Sequence, residues 1–150
     1  MGNVFGDALA LAPLDRNGTA DLVIGARDDR VGGSVTVLLG GAAGLTTSGI
    51  GGVRYTQSSR GIPGTDETAD WFGQNVTVGF VQSRTQATLV ISAPGEDVGK
   101  IHDAGAITQL PIGPSGPDLS AARTLTADTA GVQGEARADE YFGGAGGVWG

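Results

Sequence analysis

Short apolar runs separated by glycine and polar residues make up most of this 150-residue chain. The continuous apolar runs at 22–26 and 89–93 have the length of buried strands, and apolar and polar residues alternate in 74–80 as in a half-buried strand. No window carries a sustained i, i+3, i+4, i+7 apolar face between helix caps. The pattern predicts an all-β fold with little helix.

The same pattern recurs along the chain. Phe-Gly dipeptides begin at Phe5, Phe72 and Phe142, which are 67 and 70 residues apart. A shift of 67 aligns 22–26 with 89–93, and 33–44 pairs with 105–116 once five extra residues are allowed in the second copy. Farther on, 55–64 pairs with 125–134. Because a fixed period indicates a repeat architecture, we divide the single domain 1–150 into unit 1 (about 4–70), unit 2 (about 71–140) and the start of a third unit (141–150).

Each whole unit is predicted to contain four short strands. They are 5–11, 22–26, 34–39 and about 53–57 in unit 1, and 74–80, 89–93, 106–110 and about 123–126 in unit 2. Four strands in a repeat of this size are typical of a propeller blade, a small sheet that buries its faces against neighbouring blades. The sequence therefore predicts a partial β-propeller of about two blades plus the start of a third.

The order of Phe-Gly, a polar loop, "DLVIGA" and "GSVTVLL" resembles the FG-GAP repeat of integrin α-subunit propellers and of many secreted bacterial proteins. "LVISAPGED" in unit 2 is similar to the Gly-Ala-Pro end of that repeat. The resemblance implies a non-catalytic module for binding or adhesion to protein or carbohydrate partners. It also implies an extracellular or cell-surface location, although residues 1–10 lack the basic start and apolar core of a signal peptide.

Propellers of this family usually have seven blades, which would need on the order of 450 residues. We therefore expect a fragment of a longer protein or a truncated reading frame, with the remaining blades missing from this chain. An assembly of several short chains is the alternative.

A polar loop precedes "DLVIGA", and in the resembling family this loop has the form D-x-[DN]-x-[DN]-G-x-x-D and binds Ca²⁺. Carried over to this chain, the resemblance implies the ligands Asp15, Asn17, Thr19 (through its backbone carbonyl) and Asp21. Pro13 stands where the first carboxylate is expected. Because affinity in such loops follows ligand charge, we expect weak Ca²⁺ binding.

Two alternatives remain open for this loop. A second register would place Asp15 first and Asn17 third, in a loop two residues shorter. Otherwise "DRNGTAD" is only a hairpin loop, in which Asn-Gly supplies the positive φ. The corresponding loop of unit 2 offers Gln82, Arg84, Gln86 and Thr88 and no carboxylate, so no Ca²⁺ site of this kind is expected there.

Composition further limits the classes of function that this chain can have. The net charge of −7 argues against the basic surface that a nucleic-acid binder needs. Cysteine is absent, which excludes disulfides and thiolate metal sites, and no stretch approaches the roughly 20 apolar residues of a membrane span. Acidic residues gather in the loops 66–70 and 135–140 before two of the Phe-Gly dipeptides, either as a ligand-binding rim or, as we favour, as solvated loops.

Catalysis is not expected. His102 is the single histidine, and no Ser lies in a G-x-S-x-G elbow. The glycine-rich stretches lack the residues that bind phosphate. We expect Trp71, Phe72, Tyr141 and Phe142 to pack between blades. Two other functions remain as alternatives: an accessory portion of a secreted, phospholipase-like hydrolase, or a purely structural repeat.

Overall fold

A computed structural model describes residues 4–29, 31–47 and 52–144. Its strands are β1 (Ala8–Ala12), β2 (Asp21–Ala26), β3 (Ser34–Gly41), β4 (Gly44–Thr46), β5 (Gly52–Tyr55), β6 (Val76–Gly79), β7 (Thr88–Ala93), β8 (Ala106–Gly113), β9 (Gly116–Pro117) and β10 (Arg123–Leu125). One 3-10 turn, Leu119–Ala121, is the only helical element of the described residues. None of those residues forms a helix long and apolar enough to cross a membrane. The all-β prediction is confirmed.

The strands form two antiparallel sheets with the same topology. In unit 1 the order is β1-β2-β3-β5, and in unit 2 it is β6-β7-β8-β10. The third strand of each unit also pairs with a short strand just after it, β4 or β9. Each unit is therefore the expected four-stranded meander with an additional short hairpin strand.

Several predicted strand boundaries were wrong. The first strand of each unit was placed from residue 5 and from residue 74, but β1 begins at Ala8 and β6 at Val76. Gly6 and Gly73 have φ values of 91° and 90° and lie in tight turns, closed by the Asp7 and Gln74 N–H groups, which delay the start of each strand. The third strands run two and three residues beyond the prediction, because their ends pair with β4 and β9.

The junctions between units repeat the same backbone contacts. The Phe72 N–H donates to Gly32 O at 2.7 Å, and the Phe142 N–H donates to Ala104 O, the corresponding carbonyl of unit 2, at 2.9 Å. The Gly6 and Gly73 N–H groups likewise donate to Gly25 O and to its counterpart Ser92 O, both at 2.9 Å. The period read from the sequence is therefore a period of the structure.

The main core lies between the two sheets. Paired residues of neighbouring antiparallel strands share one side of a sheet, so each sheet has two distinct faces. The rear face of unit 1, lined by Val23, Val35 and Val37, packs against the front face of unit 2. That front face carries six apolar residues, all buried or packed against the core: Phe72, Val76, Val78, Leu89, Ile91 and Leu110.

Candidate functional site

The loop between β1 and β2 is anchored at both of its ends. Leu14 and Asp21 are each 0% exposed. The Asp21 carboxylate accepts a hydrogen bond from the Leu14 N–H through Oδ2 and another from the Gly40 N–H through Oδ1 at 2.7 Å. Asp21 thereby fixes the start of the loop and ties it to the far end of β3.

The middle of the loop is organised around Asn17. Its Nδ2 donates to Asp15 Oδ2 at 2.9 Å and to Gly40 O at 2.7 Å. Its Oδ1 accepts from the Thr19 N–H at 2.8 Å and from the Thr19 hydroxyl. Asp15 Oδ1 also accepts from the Asn17 N–H at 3.1 Å. The side chains of Asp15, Asn17 and Thr19 are therefore brought together, as the sequence predicts for a ligand cluster or a stable turn.

The side-chain oxygens of Asp15 and Asn17 already accept hydrogen bonds within the loop. A cation between Asp15 and Asn17 would displace the amide N–H groups of Asn17 from the carboxylate and would need the amide oxygen in their place. The Asp21 oxygens each accept one backbone N–H and retain acceptor capacity. Pro13 is exposed and supplies no side-chain oxygen.

The corresponding loop of unit 2 shows what the carboxylates contribute. Thr88 takes the place of Asp21 and is also 0% exposed, but its buried hydroxyl has no hydrogen-bond partner among the described residues. The connection that Asp21 makes to β3 is replaced by a backbone bond from the Ile112 N–H to Ala87 O at 2.8 Å. In unit 2 a backbone hydrogen bond therefore holds the loop against the third strand, and no carboxylate is involved.

A second group of acidic residues lies at the connection from unit 1 to unit 2. Asp70 is only 1% exposed, and its Oδ2 accepts from the Glu67 N–H at 2.6 Å. The pKa of Asp70 is raised from 3.8 to about 7, mainly by burial and also by the charges of Glu96, Glu67 and Asp66, while the hydrogen bond from the Glu67 N–H lowers it. The expectation that loop 66–70 is fully solvated is therefore wrong for Asp70.

Glu96 belongs to the same acidic group. Burial raises its pKa, and the hydrogen bond that it accepts from the amide of Gln57 opposes this shift. Gln57 is 1% exposed, and its Oε1 has no partner among the described residues. The corresponding residue of unit 2 is Ala127, which is also buried but has no side-chain amide to make such a contact.

His102 lies in the five-residue insertion of unit 2, which a bridge between Val98 and Ile101 closes into a tight turn. Its Nδ1 is 3.0 Å from Asp103 Oδ2, and its side chain is 73% exposed. Ligand atoms of His102, Asp97 and Asp103 lie within 4.8 Å of one another. From the sequence, His102 was weighed only as a catalytic base; the signal available for this grouping is the spacing of Asp97, His102 and Asp103 in "EDVGKIHD".

The aromatic residues pack at the unit junctions. Phe72 is 0% exposed in the main core. Phe142 packs against a small cluster of buried alanines, Ala104, Ala127 and Ala136. Trp71 and Tyr141, which occupy corresponding positions, stack on each other with ring centroids 5.8 Å apart. Packing between units is therefore their observed role.

A scan of protein-family models gives no match to this chain, and a search of curated proteins gives no significant match.

Proposed function

We propose that the chain is part of an FG-GAP-type β-propeller and serves as a non-catalytic module that binds protein or carbohydrate partners. The proposal rests above all on the repeated junction, in which the Phe-Gly turn of one unit donates to the preceding unit at both Phe72 and Phe142. Units that contact each other through one recurring geometry suit a radial array of small sheets. The loops at the strand ends then form the surface offered to partners.

A binding role also suits the chemistry of the polar groups. The imidazole of His102 contacts Asp103, and no hydroxyl group of the described residues hydrogen-bonds to it. A nucleophile and base in contact with each other are what a hydrolase of the serine type requires. The proposal therefore assigns no catalytic residue to the described part of the chain.

Within this module, the β1–β2 loop is proposed to bind Ca²⁺ weakly. Asp15 and Asp21 supply two carboxylates, and Asn17 and the Thr19 carbonyl supply neutral oxygens. Ca²⁺ takes 6–8 oxygen ligands, so water would complete the shell that Pro13 leaves short. Because binding must also exchange the Asn17–Asp15 hydrogen bonds, we expect a dissociation constant on the order of a millimolar.

Calorimetric titration with Ca²⁺ tests the proposed metal site. The unchanged chain should give a saturable heat at millimolar Ca²⁺, and Asp15→Asn should abolish it, because that substitution removes one of only two carboxylates. Glu135→Gln is the matched control, since Glu135 is an exposed acidic residue in another loop. Absence of heat from the unchanged chain, or equal heat from Asp15→Asn, would contradict calcium binding in this loop.

A further inference from the structure

The dipeptide Asn17-Gly18 is exposed at the tip of the β1–β2 loop. An asparagine that precedes glycine can react with its own backbone, because the next nitrogen attacks the side-chain amide carbon and glycine has no side chain to hinder it. A Cβ atom on Gly18 would have no atom within 4 Å, so the surroundings are open as well. No described residue accepts a hydrogen bond from the Gly18 N–H, and the attacking nitrogen is therefore not held by another contact.

The contacts of Asn17 activate the amide carbon that this nitrogen would attack. Asn17 Oδ1 accepts two hydrogen bonds from Thr19, one from its N–H at 2.8 Å and one from its hydroxyl. Negative charge develops on Oδ1 as the new bond forms, and donors already directed at an oxygen stabilise such charge. The nucleophile also belongs to the next residue, so the attack is intramolecular. The loop thus combines an open nucleophile with a polarised carbonyl group.

From these contacts we infer that Asn17 is a modification site, at which the folded loop converts its own asparagine to aspartate or isoaspartate. The Gly18 nitrogen gives its proton to a solvent base and bonds to Asn17 Cγ. The Cγ–Nδ2 bond breaks, and Nδ2 takes up a proton and leaves as ammonia. Water then opens the resulting succinimide ring at either carbonyl. The amide and one water become a carboxylic acid and ammonia, and nothing is oxidised or reduced.

The new carboxylate should strengthen cation binding in the loop, a step that rests on the calcium site proposed above. Asn17 Nδ2 donates to Asp15 Oδ2 at 2.9 Å and to Gly40 O at 2.7 Å. Deamidation replaces this nitrogen with an oxygen, so both hydrogen bonds are lost and oxygen atoms alone converge there. Ca²⁺ prefers such ligands, and it no longer has to displace the amide N–H groups.

Mass spectrometry tests the modification on the full chain. The chain is kept in mildly alkaline buffer prepared with heavy-oxygen water and is then digested. Peptides that contain Asn17 should lose ammonia and gain heavy oxygen, whereas peptides that contain Asn75 should not. Asn75 is the control within the chain, because valine follows it and its Nδ2 donates to Ser92 Oγ at 3.2 Å and to Gly143 O at 3.4 Å.

Variants of Thr19 show whether the folded loop drives the reaction. Thr19→Val removes the hydroxyl donor and keeps the size of the side chain, so it should slow the conversion of Asn17 several-fold in the folded chain but not in urea. Thr19→Ser keeps the hydroxyl and should restore the rate. Conversion in urea without conversion in the folded chain would overturn the inference, as would equal rates for Thr19→Val and the unchanged chain in the folded state.

Calorimetric titration with Ca²⁺ tests the effect on binding. Asn17→Asp introduces the new carboxylate directly and should lower the dissociation constant about tenfold relative to the freshly prepared unchanged chain, because affinity follows ligand charge. Arg84→Asp is the matched control. Arg84 is exposed at the corresponding position of unit 2, in a loop without carboxylates, so this variant should add no calcium site.

An unchanged or larger dissociation constant for Asn17→Asp would overturn the effect on binding. Failure of the proposed calcium site has a different signature, because neither the unchanged chain nor Asn17→Asp would then give a saturable heat. The mass of the Asn17 peptides would still decide whether the residue is modified.

Discussion

Asp70 shows how the repeat architecture acts on a single residue. It lies in a loop rich in polar residues, yet the second unit and the chain around Gly95 cover it, and the Gly95 N–H donates to Asp70 O at 3.0 Å. Its carboxyl group is thereby removed from water beside Glu96 and Glu67. Desolvation and like charges both favour the protonated form.

The stability of the chain should consequently depend on pH through Asp70. Its folded pKa, about 7, lies above the ordinary value of 3.8. Between these values the folded state holds a proton that the unfolded state has released, so stability falls as pH rises through this window, by up to about 1.4 kcal/mol per pH unit. Urea unfolding at pH 5 and pH 8 measures the difference, which Asp70→Asn should reduce.

Asp118→Asn is the control for this experiment. The pKa of Asp118 is lowered by hydrogen bonds from the Ser120 hydroxyl and backbone N–H, so its titration lies below the window. A pH dependence that is the same in the unchanged chain and in Asp70→Asn would show that Asp70 is ionised in the folded protein.

At the scale of the elements, β2 and β7 are equivalent strands with different neighbours. A Cβ atom on Gly25 of β2 would lie 2.0 Å from Gly73 O, so the turn of unit 2 approaches the bare backbone of unit 1. The corresponding residue of β7 is Ser92, whose hydroxyl accepts hydrogen bonds from Asn75. Position 25 must therefore be glycine because unit 2 approaches it closely. The strand itself does not require glycine there.

Gly25→Ser should consequently destabilise the chain by about 1–3 kcal/mol, because a backbone carbonyl must move to admit the side chain. The reciprocal change, Ser92→Gly, should cost only about 1 kcal/mol, from the lost hydrogen bonds to Asn75. Denaturant unfolding of both variants gives the comparison. Equal costs would indicate that unit 2 does not approach β2 as closely as described.

The strands themselves could be predicted from the sequence because their apolar runs and alternation are local. The short strands β4 and β9 could not, since the paired ends of β3 and β8 are glycine-rich or contain proline and carry no strand pattern. The hydrogen bonds among Asp15, Asn17 and Thr19 follow from their close spacing in one loop. The hydrogen bonds of Asn17 and Asp21 to Gly40 depend on the hairpin geometry of β3, which the loop sequence does not encode.

At the scale of the whole molecule, equal sequence motifs have unequal environments. Phe5 and Phe72 both begin a unit, but Phe5 is exposed and Phe72 is buried. Leu14 is buried, whereas Val81 at the corresponding position is 57% exposed. These differences arise from the order of the units and the packing between them, and a single motif contains no information about its neighbours.

The central claim is that the front face of unit 2 packs on the rear face of unit 1. Equivalent apolar positions of the two units should therefore contribute unequally to the stability of the chain. Thermal unfolding of Leu9→Asp and Val76→Asp tests it most directly, because these residues occupy the same position of β1 and β6. Leu9 is 62% exposed, whereas Val76 packs against the core between the sheets. The account predicts a large loss of Tm for Val76→Asp, which buries a charge, and almost none for Leu9→Asp. Similar losses for the two variants, or a larger loss for Leu9→Asp, would contradict it.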